Sequence, residues 1–219
     1  MKIFKTSNKF KQMRLAKFES ARQAIGKIEK NTDTFCLTFG QFSLIDALEA
    51  ILKQTGKAHV VVSSWTAAQA HLARAKEMMA RLDVESFRMI IDRSFKTRQP
   101  DYYKFLLEHF GAECIRQINT HAKFMVIHND KCNIVVRTSM NFNENPRLEN
   151  IEISENKNFT DFFLSLTDEI FKEVQQNETK SSDLKLIGLK TTCEVKEVEM
   201  GKVDYKNLNE VEASYGYSN

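Results

Sequence analysis

The chain has 219 residues, 42% apolar and 28% charged, which is enough for one sizeable core and an appended segment. No apolar run reaches the roughly eighteen residues of a membrane span, and Lys2, Lys5, Lys9 and Lys11 are not followed by an apolar signal-type stretch. These features predict a cytoplasmic protein with no membrane partner. The net charge is only +3, but it is uneven: residues 1–30 hold nine cations against Glu19 and Glu29, a local excess that suits a polyanion.

Taken in order, Lys11 to Ile28 reads as a basic helix lying on the domain or on a nucleic-acid backbone, with a solvated Lys-rich helix as the plainer alternative. Phe35 to Phe39 is a short strand closed by Gly40. Ser43 then caps a helix, with Asp46 completing a capping box, Leu44, Ile45, Leu48, Ile51 and Leu52 as its apolar stripe, and Gly56 as its stop. His59 to Trp65 holds a β-branched run typical of a strand covered on both faces, and an Ala-rich helix follows over Ala67 to Leu82.

Phe87 to Ile91 is a third such strand. It empties into the polar loop from Asp92 to Pro100, at a strand's carboxyl end, where open α/β sheets usually place ligands. Arg93 and Arg98 in that loop are candidates for phosphate binding. A helix over Asp101 to Phe110, between Pro100 and Gly111, and a strand over Cys114 to Ile118 lead to the most informative stretch, Thr120 to Asn150. After Pro146, Ile151 and Ile153 suggest a brief strand, and Phe159 to Val174 a helix with Phe163, Leu166, Ile170 and Val174 in helical spacing. The alternation predicts an α/β domain, a layered mixed sheet with helices on both faces. Its span is 33–175, after a basic segment over 1–32 and before a mixed polar tail over 176–219 in which Leu184 to Val203 holds only weak strand signals.

Thr120 to Asn150 reads as a hairpin. His121 and Lys123 are two apart ahead of Phe124, Val126 and Ile127, so on a strand their side chains leave from one face. Asn129, Asp130 and Lys131 supply turn chemistry, and Asn133 to Val136 returns as a second apolar run ending in Thr138, Ser139, Met140 and Asn141. Imidazole, ammonium, hydroxyl and carboxamide on one side of a hairpin make a phosphate site that needs no metal. A metal site from His121, His128 and Asp130 fits poorly, because His121 and His128 differ by an odd number of positions and face opposite ways on a regular strand. Cys36, Cys114, Cys132 and Cys193 have no C-x-x-C spacing and are expected as reduced thiols with no structural zinc. His59, His71 and His109 have no sequence partners and are expected to be structural or exposed.

His121-x-Lys123, a β return, Ser139-x-Asn141 and the later Glu149 resemble the H-x-K...S-x-N signature of the phospholipase D superfamily, and Arg137 to Glu149 is close to phage and prophage members. The resemblance covers about residues 33 to 175. Two positions depart from it: His128 stands where the family has an Asp five residues after the Lys, with Asp130 two further on, and Thr138 stands where a Gly usually precedes the Ser. The family Asp is mainly structural.

The resemblance implies a phospholipase D-like fold and a metal-independent phosphodiesterase, a hydrolase that uses no cofactor. His121 would attack phosphorus to give a phosphohistidine, and a second histidine would protonate the leaving oxygen and later activate water. Lys123, Ser139 and Asn141 would hold the nonbridging oxygens, and Glu149 would orient a His121 imidazole. The plainer role for Glu149 is to pair with Arg147. The chain holds only one H-x-K, so a homodimer with a shared site is the economical expectation. The basic N-terminal segment favours a nuclease over a lipid hydrolase. The alternative is a catalytically inactive nucleic-acid-binding or assembly protein that keeps the phosphate pocket.

Overall fold

The computed structural model describes residues 10–16, 21–81, 83–144 and 146–174. The tail over 176–219, with Cys193, and the helix end expected at Leu82 lie outside the described residues.

Among the described residues, eight strands form one mixed sheet: β1 (Phe10–Ala16), β2 (Thr32–Thr38), β3 (Ala58–Ser64), β4 (Val84–Asp92), β5 (Ile115–Ile118), β6 (Phe124–His128), β7 (Asn133–Thr138) and β8 (Glu149–Glu155). Their order is β1-β2-β8-β7-β6-β3-β4-β5. The pairs β1·β2, β3·β4 and β4·β5 are parallel, and β2·β8, β7·β8, β6·β7 and β3·β6 are antiparallel. Only β6 and β8 therefore run against the rest. One rim of the sheet gathers the carboxyl ends of β2, β7, β3 and β4 with the amino ends of β8 and β6.

The helices are α1 (Ala21–Ile25), α2 (Leu44–Thr55), α3 (Gln69–Ala80), α4 (Phe95–Arg98), α5 (Pro100–Phe110) and α6 (Lys157–Glu173). The α2 helix forms for the reasons its sequence offers. The Ser43 side chain accepts from Asp46 N while the Asp46 carboxylate accepts from Ser43 N at 2.7 Å, and Gly56 ends the helix at φ 74, where a side chain would be strained. Arg74 of α3 then ties the two helices together through Asp46 (2.7 Å) and Glu49 (2.8 Å).

Alternating strand positions feed two cores. On one face Val60, Val62, Met89, Ile91, Met125, Ile127, Ile134, Val136, Ile151 and Ile153 pack beneath α1, α2, α3 and α5. On the other, Val61, Ile90, Phe124 and Val126 pack with α6 through Ile170, Val174, Phe163 and Leu166. Helices cover both faces, as the alternation of elements predicts. Among the described residues, no helix is long and apolar enough to cross a membrane.

Several expectations change. One continuous helix over Lys11 to Ile28 is not formed: Phe10–Ala16 is an edge strand parallel to β2, and among the described residues of that span Ala21–Ile25 is helical, with Ala21, Ala24 and Ile25 buried in the larger core. Charge spacing does not report strand pairing, which here is decided by the open edge of β2. The Asp92 to Pro100 loop contains the one-turn helix α4. The strand expected around Ile151 and Ile153 is a full seven-residue central strand, β8. His59, His71 and His109 do have partners. His59 stacks on His128 at 5.0 Å, the buried His71 lies 3.2 Å from a Glu144 oxygen, and His109 stacks on Phe105 at 3.9 Å.

Candidate active site at the rim of the sheet

His121 and Lys123 do not lie on a strand, since β6 begins only at Phe124. The same-face argument for them therefore fails, and tertiary bonds position them instead. The Asp92 carboxylate, at the end of β4, accepts from Thr120 N at 3.1 Å and from both Ser94 N (2.9 Å) and the Ser94 hydroxyl. Ser63 Oγ donates to the Ala122 carbonyl at 2.9 Å, Thr120 Oγ1 accepts from Ala122 N at 3.1 Å, and Thr138 N donates to the Lys123 carbonyl at 3.2 Å. The 119–123 segment is thus pinned by β3, β4 and β7 through its backbone. The side chains of His121 and Lys123 take no part in these bonds.

They meet. Lys123 Nζ lies 3.3 Å from both ring nitrogens of His121 and 3.0 Å from its carbonyl oxygen. Burial holds the Lys123 ammonium below the ordinary lysine range, while the Glu149 carboxylate acts in the opposite direction. The His121 ring is exposed and tilts against the Trp65 indole at 6.0 Å.

Ser139 and Asn141 follow the end of β7 rather than lying on it. Ser139 is fixed against the start of β8: its N–H donates to the Asn150 carbonyl at 3.2 Å, its Oγ accepts from Asn150 N at 3.0 Å, and its hydroxyl donates to the Glu149 carboxylate. Thr138, the residue in place of a glycine, donates from Oγ1 to the Asn150 carbonyl at 2.6 Å and accepts from Met140 N at 3.0 Å. Its hydroxyl stitches the turn that a glycine would leave to backbone alone. Asn141 is half-buried beside the bridge between Ala67 and Phe142, where Phe142 N donates to Thr66 O (3.2 Å) and Ser64 Oγ (3.0 Å), so it stands at the carboxyl end of β3.

Glu149 is buried, and its carboxylate partners among the described residues are Ser139 and, at 3.6 Å, Arg147 Nε. Within one chain it does not orient His121. The Arg147 pairing is the plainer of the two roles weighed for it from sequence. Arg98 comes to the same rim, its guanidinium 3.7 Å from the Trp65 ring centroid. Arg93 shares its loop and donates its backbone N–H to Ile118 O at 2.9 Å.

His128 lies at the far end of β6 from His121, stacked on His59, and burial is the first cause that holds its imidazole below the ordinary range. The metal grouping of His121, His128 and Asp130 is therefore not assembled, and no group of three or more metal-ligating side chains is found among the described residues. Asp130 is exposed. The anchoring near it is done by Asn129, whose Oδ1 accepts from Lys131 N (2.8 Å) and Cys132 N (3.0 Å) and whose Nδ2 donates to the Thr55 (3.1 Å) and Lys57 (2.8 Å) carbonyls. Cys36, Cys114 and Cys132 are free thiols.

Sequence reasoning missed Asp92, Ser63, Thr120 and Trp65 as parts of the site. Asp92-x-Ser94 is a legible turn signal, but its bond to Thr120 crosses 28 residues and leaves no local trace.

No protein-family model matches the chain, and no curated protein matches it. Among solved structures, it is similar to Nuc of Salmonella typhimurium, a phospholipase D family member, with 17% identity, 67% of this chain and 98% of that one covered, and a TM-score of 0.47. It is similar to NucT of Helicobacter pylori, with 14% identity, 66% and 99% covered, and a TM-score of 0.46. It is also similar to polyphosphate kinase of Porphyromonas gingivalis, with 13% identity, 68% of this chain but 27% of that one covered, and a TM-score of 0.45.

Proposed function

We propose that this protein is a metal-independent phosphodiesterase of the phospholipase D type that cleaves nucleic acid at a site shared by two copies of the chain. The contact of Lys123 with His121, beside Ser139 and Glu149 on one rim, carries this reading. A ring nitrogen of His121 attacks phosphorus, the bond to the leaving oxygen breaks, and His121 of the second copy supplies that oxygen's proton. The same second imidazole then takes a proton from water as its oxygen displaces the first histidine. Lys123 provides a cation for the nonbridging oxygens, and Ser139 and Asn141 provide short polar donors, where negative charge accumulates in the transition state. The nine cations of residues 1–30 favour a polyanion.

Incubation of the purified chain with labelled single- and double-stranded DNA and RNA in EDTA tests the proposal. Cleavage that survives chelation and disappears in His121→Ala is expected. A second reading, a binding protein without turnover, is favoured by the engagement of Glu149 with Ser139 and Arg147. Tight binding with no cleavage of any of the four substrates would establish it.

A further inference from the structure

Trp65 is the only tryptophan in the chain, and it belongs to neither hydrophobic core. It sits half-buried just past the end of β3, with its ring against His121 and the Arg98 guanidinium laid over it at 3.7 Å. Arg98 is held there rather than free: its Nη2 donates to the Trp65 carbonyl at 2.9 Å and its Nε to Ser94 Oγ at 3.0 Å. Ser94 in turn donates to the Asp92 carboxylate, which also fixes Thr120 and so the His121 loop. The flat Trp65–Arg98 pair and the candidate nucleophile are therefore held by one carboxylate.

A guanidinium so committed, with Nε and Nη2 both engaged and its carbon over the indole, is a poor phosphate clamp and a good stacking surface. Taken with the nucleic-acid reading above, on which this rests, we infer that Trp65 and Arg98 form a base-stacking subsite for the nucleotide whose phosphate is bound at His121. Aromatic and guanidinium planes both accept unstacked bases of any identity. A base inside a duplex is already paired and stacked and cannot reach them, so the subsite selects single strands. The Arg98 charge also repels a cationic lipid headgroup from the Trp65 face.

Because Trp65 is the sole tryptophan, its fluorescence reports this subsite alone. Full-length His121→Ala protein in EDTA is titrated with an oligothymidylate, with a duplex, and with an abasic strand of equal length. Quenching by the oligothymidylate, with little change on binding of the abasic strand or the duplex, is expected. Trp65→Ala should lose on the order of tenfold in single-strand affinity, with abasic-strand affinity unmoved, and Trp65→Phe should recover most of it. Equal quenching by the abasic strand, or unchanged single-strand affinity in a folded Trp65→Ala protein, overturns the subsite while leaving the phosphodiesterase reading standing. Failure of all three probes, and of an oligouridylate and an RNA duplex, to bind overturns both.

Discussion

At the turn end of the hairpin formed by β6 and β7, the side chain of Asn129 commits its hydrogen-bonding capacity to four backbone groups, two in the turn, one at the last residue of α2 and one just after it. At the open end the arrangement is reversed. Asp92, Ser63, Thr120 and Thr138 hold the backbone of the 119–123 segment, and His121 and Lys123 are left facing each other at the rim. The turn end is fastened by the polar residue it contains; the site end is fastened by residues from other strands. A catalytic side chain must keep its own donors and acceptors available, so a rigid site needs its supports to come from elsewhere. The difference also bears on the position where the sequence resemblance leads one to expect an Asp. That position, His128, is separated from His121 by the length of β6, on the order of 17 Å, and Asn129 already secures the turn beside it.

If the ends are specialised in this way, substitutions should sort cleanly into activity and stability. The largest effect is expected from His121→Ala, which should lower turnover by on the order of a thousandfold or more with an unchanged melting temperature, because the side chain is exposed. Unaltered cleavage by that variant would remove His121 as nucleophile. Mixing wild-type and His121→Ala chains should make activity fall with the square of the wild-type fraction, since only wild-type pairs hold both imidazoles. A linear fall would mean that each chain works alone.

Asn129→Ala should do the opposite. It leaves two part-buried or exposed carbonyls and two turn amides without their side-chain partner, costing about 1–2 kcal/mol in urea unfolding, with the turnover of the folded protein unchanged. A matching loss of turnover well below the melting temperature would show that the two ends are coupled.

Glu149→Gln sharpens the comparison within the site. In the proposed reaction Lys123 must be charged to hold phosphate oxygens, so activity should fall as pH rises through its pKa, which burial already places below the ordinary lysine range. Removing the Glu149 charge removes the influence that raises that pKa, so the alkaline limb should move to lower pH. A limb that stays in place would separate Lys123 from the rate. The smallest effect is expected from replacing Lys2, Lys5 and Lys9 with Gln, which should reduce the slope of log affinity against log salt by roughly 0.7–0.9 for each phosphate that is no longer neutralised. An identical slope would return those lysines to a solvated role. Deleting the whole of residues 1–30 is a poorer test, because β1 and α1 belong to the sheet and its core.

Much of the frame was legible because it depends on local patterns. The capping box at Ser43 and Asp46, the stop at Gly56, the β-branched run of β3 and the helical spacing of α6 are each decided within a few residues, and each element forms where expected. The pairing of His121 with Lys123 was legible as a spacing of two. A shared strand face is not what brings the two side chains together, since the segment is irregular and is held from outside.

By itself, then, the sequence determined the α/β class, the helix ends, the hairpin and the chemical types available to the site, all of which follow from propensity and periodicity over short windows. Tertiary structure alone decided that Phe10–Ala16 pairs with β2, that β8 is central, that Glu149 answers to Ser139, and that Asp92 supports both Thr120 and the Trp65–Arg98 pair. Those outcomes depend on which strand edges and which buried donors remain to be satisfied once the sheet has closed around its two cores, and no local window of the chain contains that information.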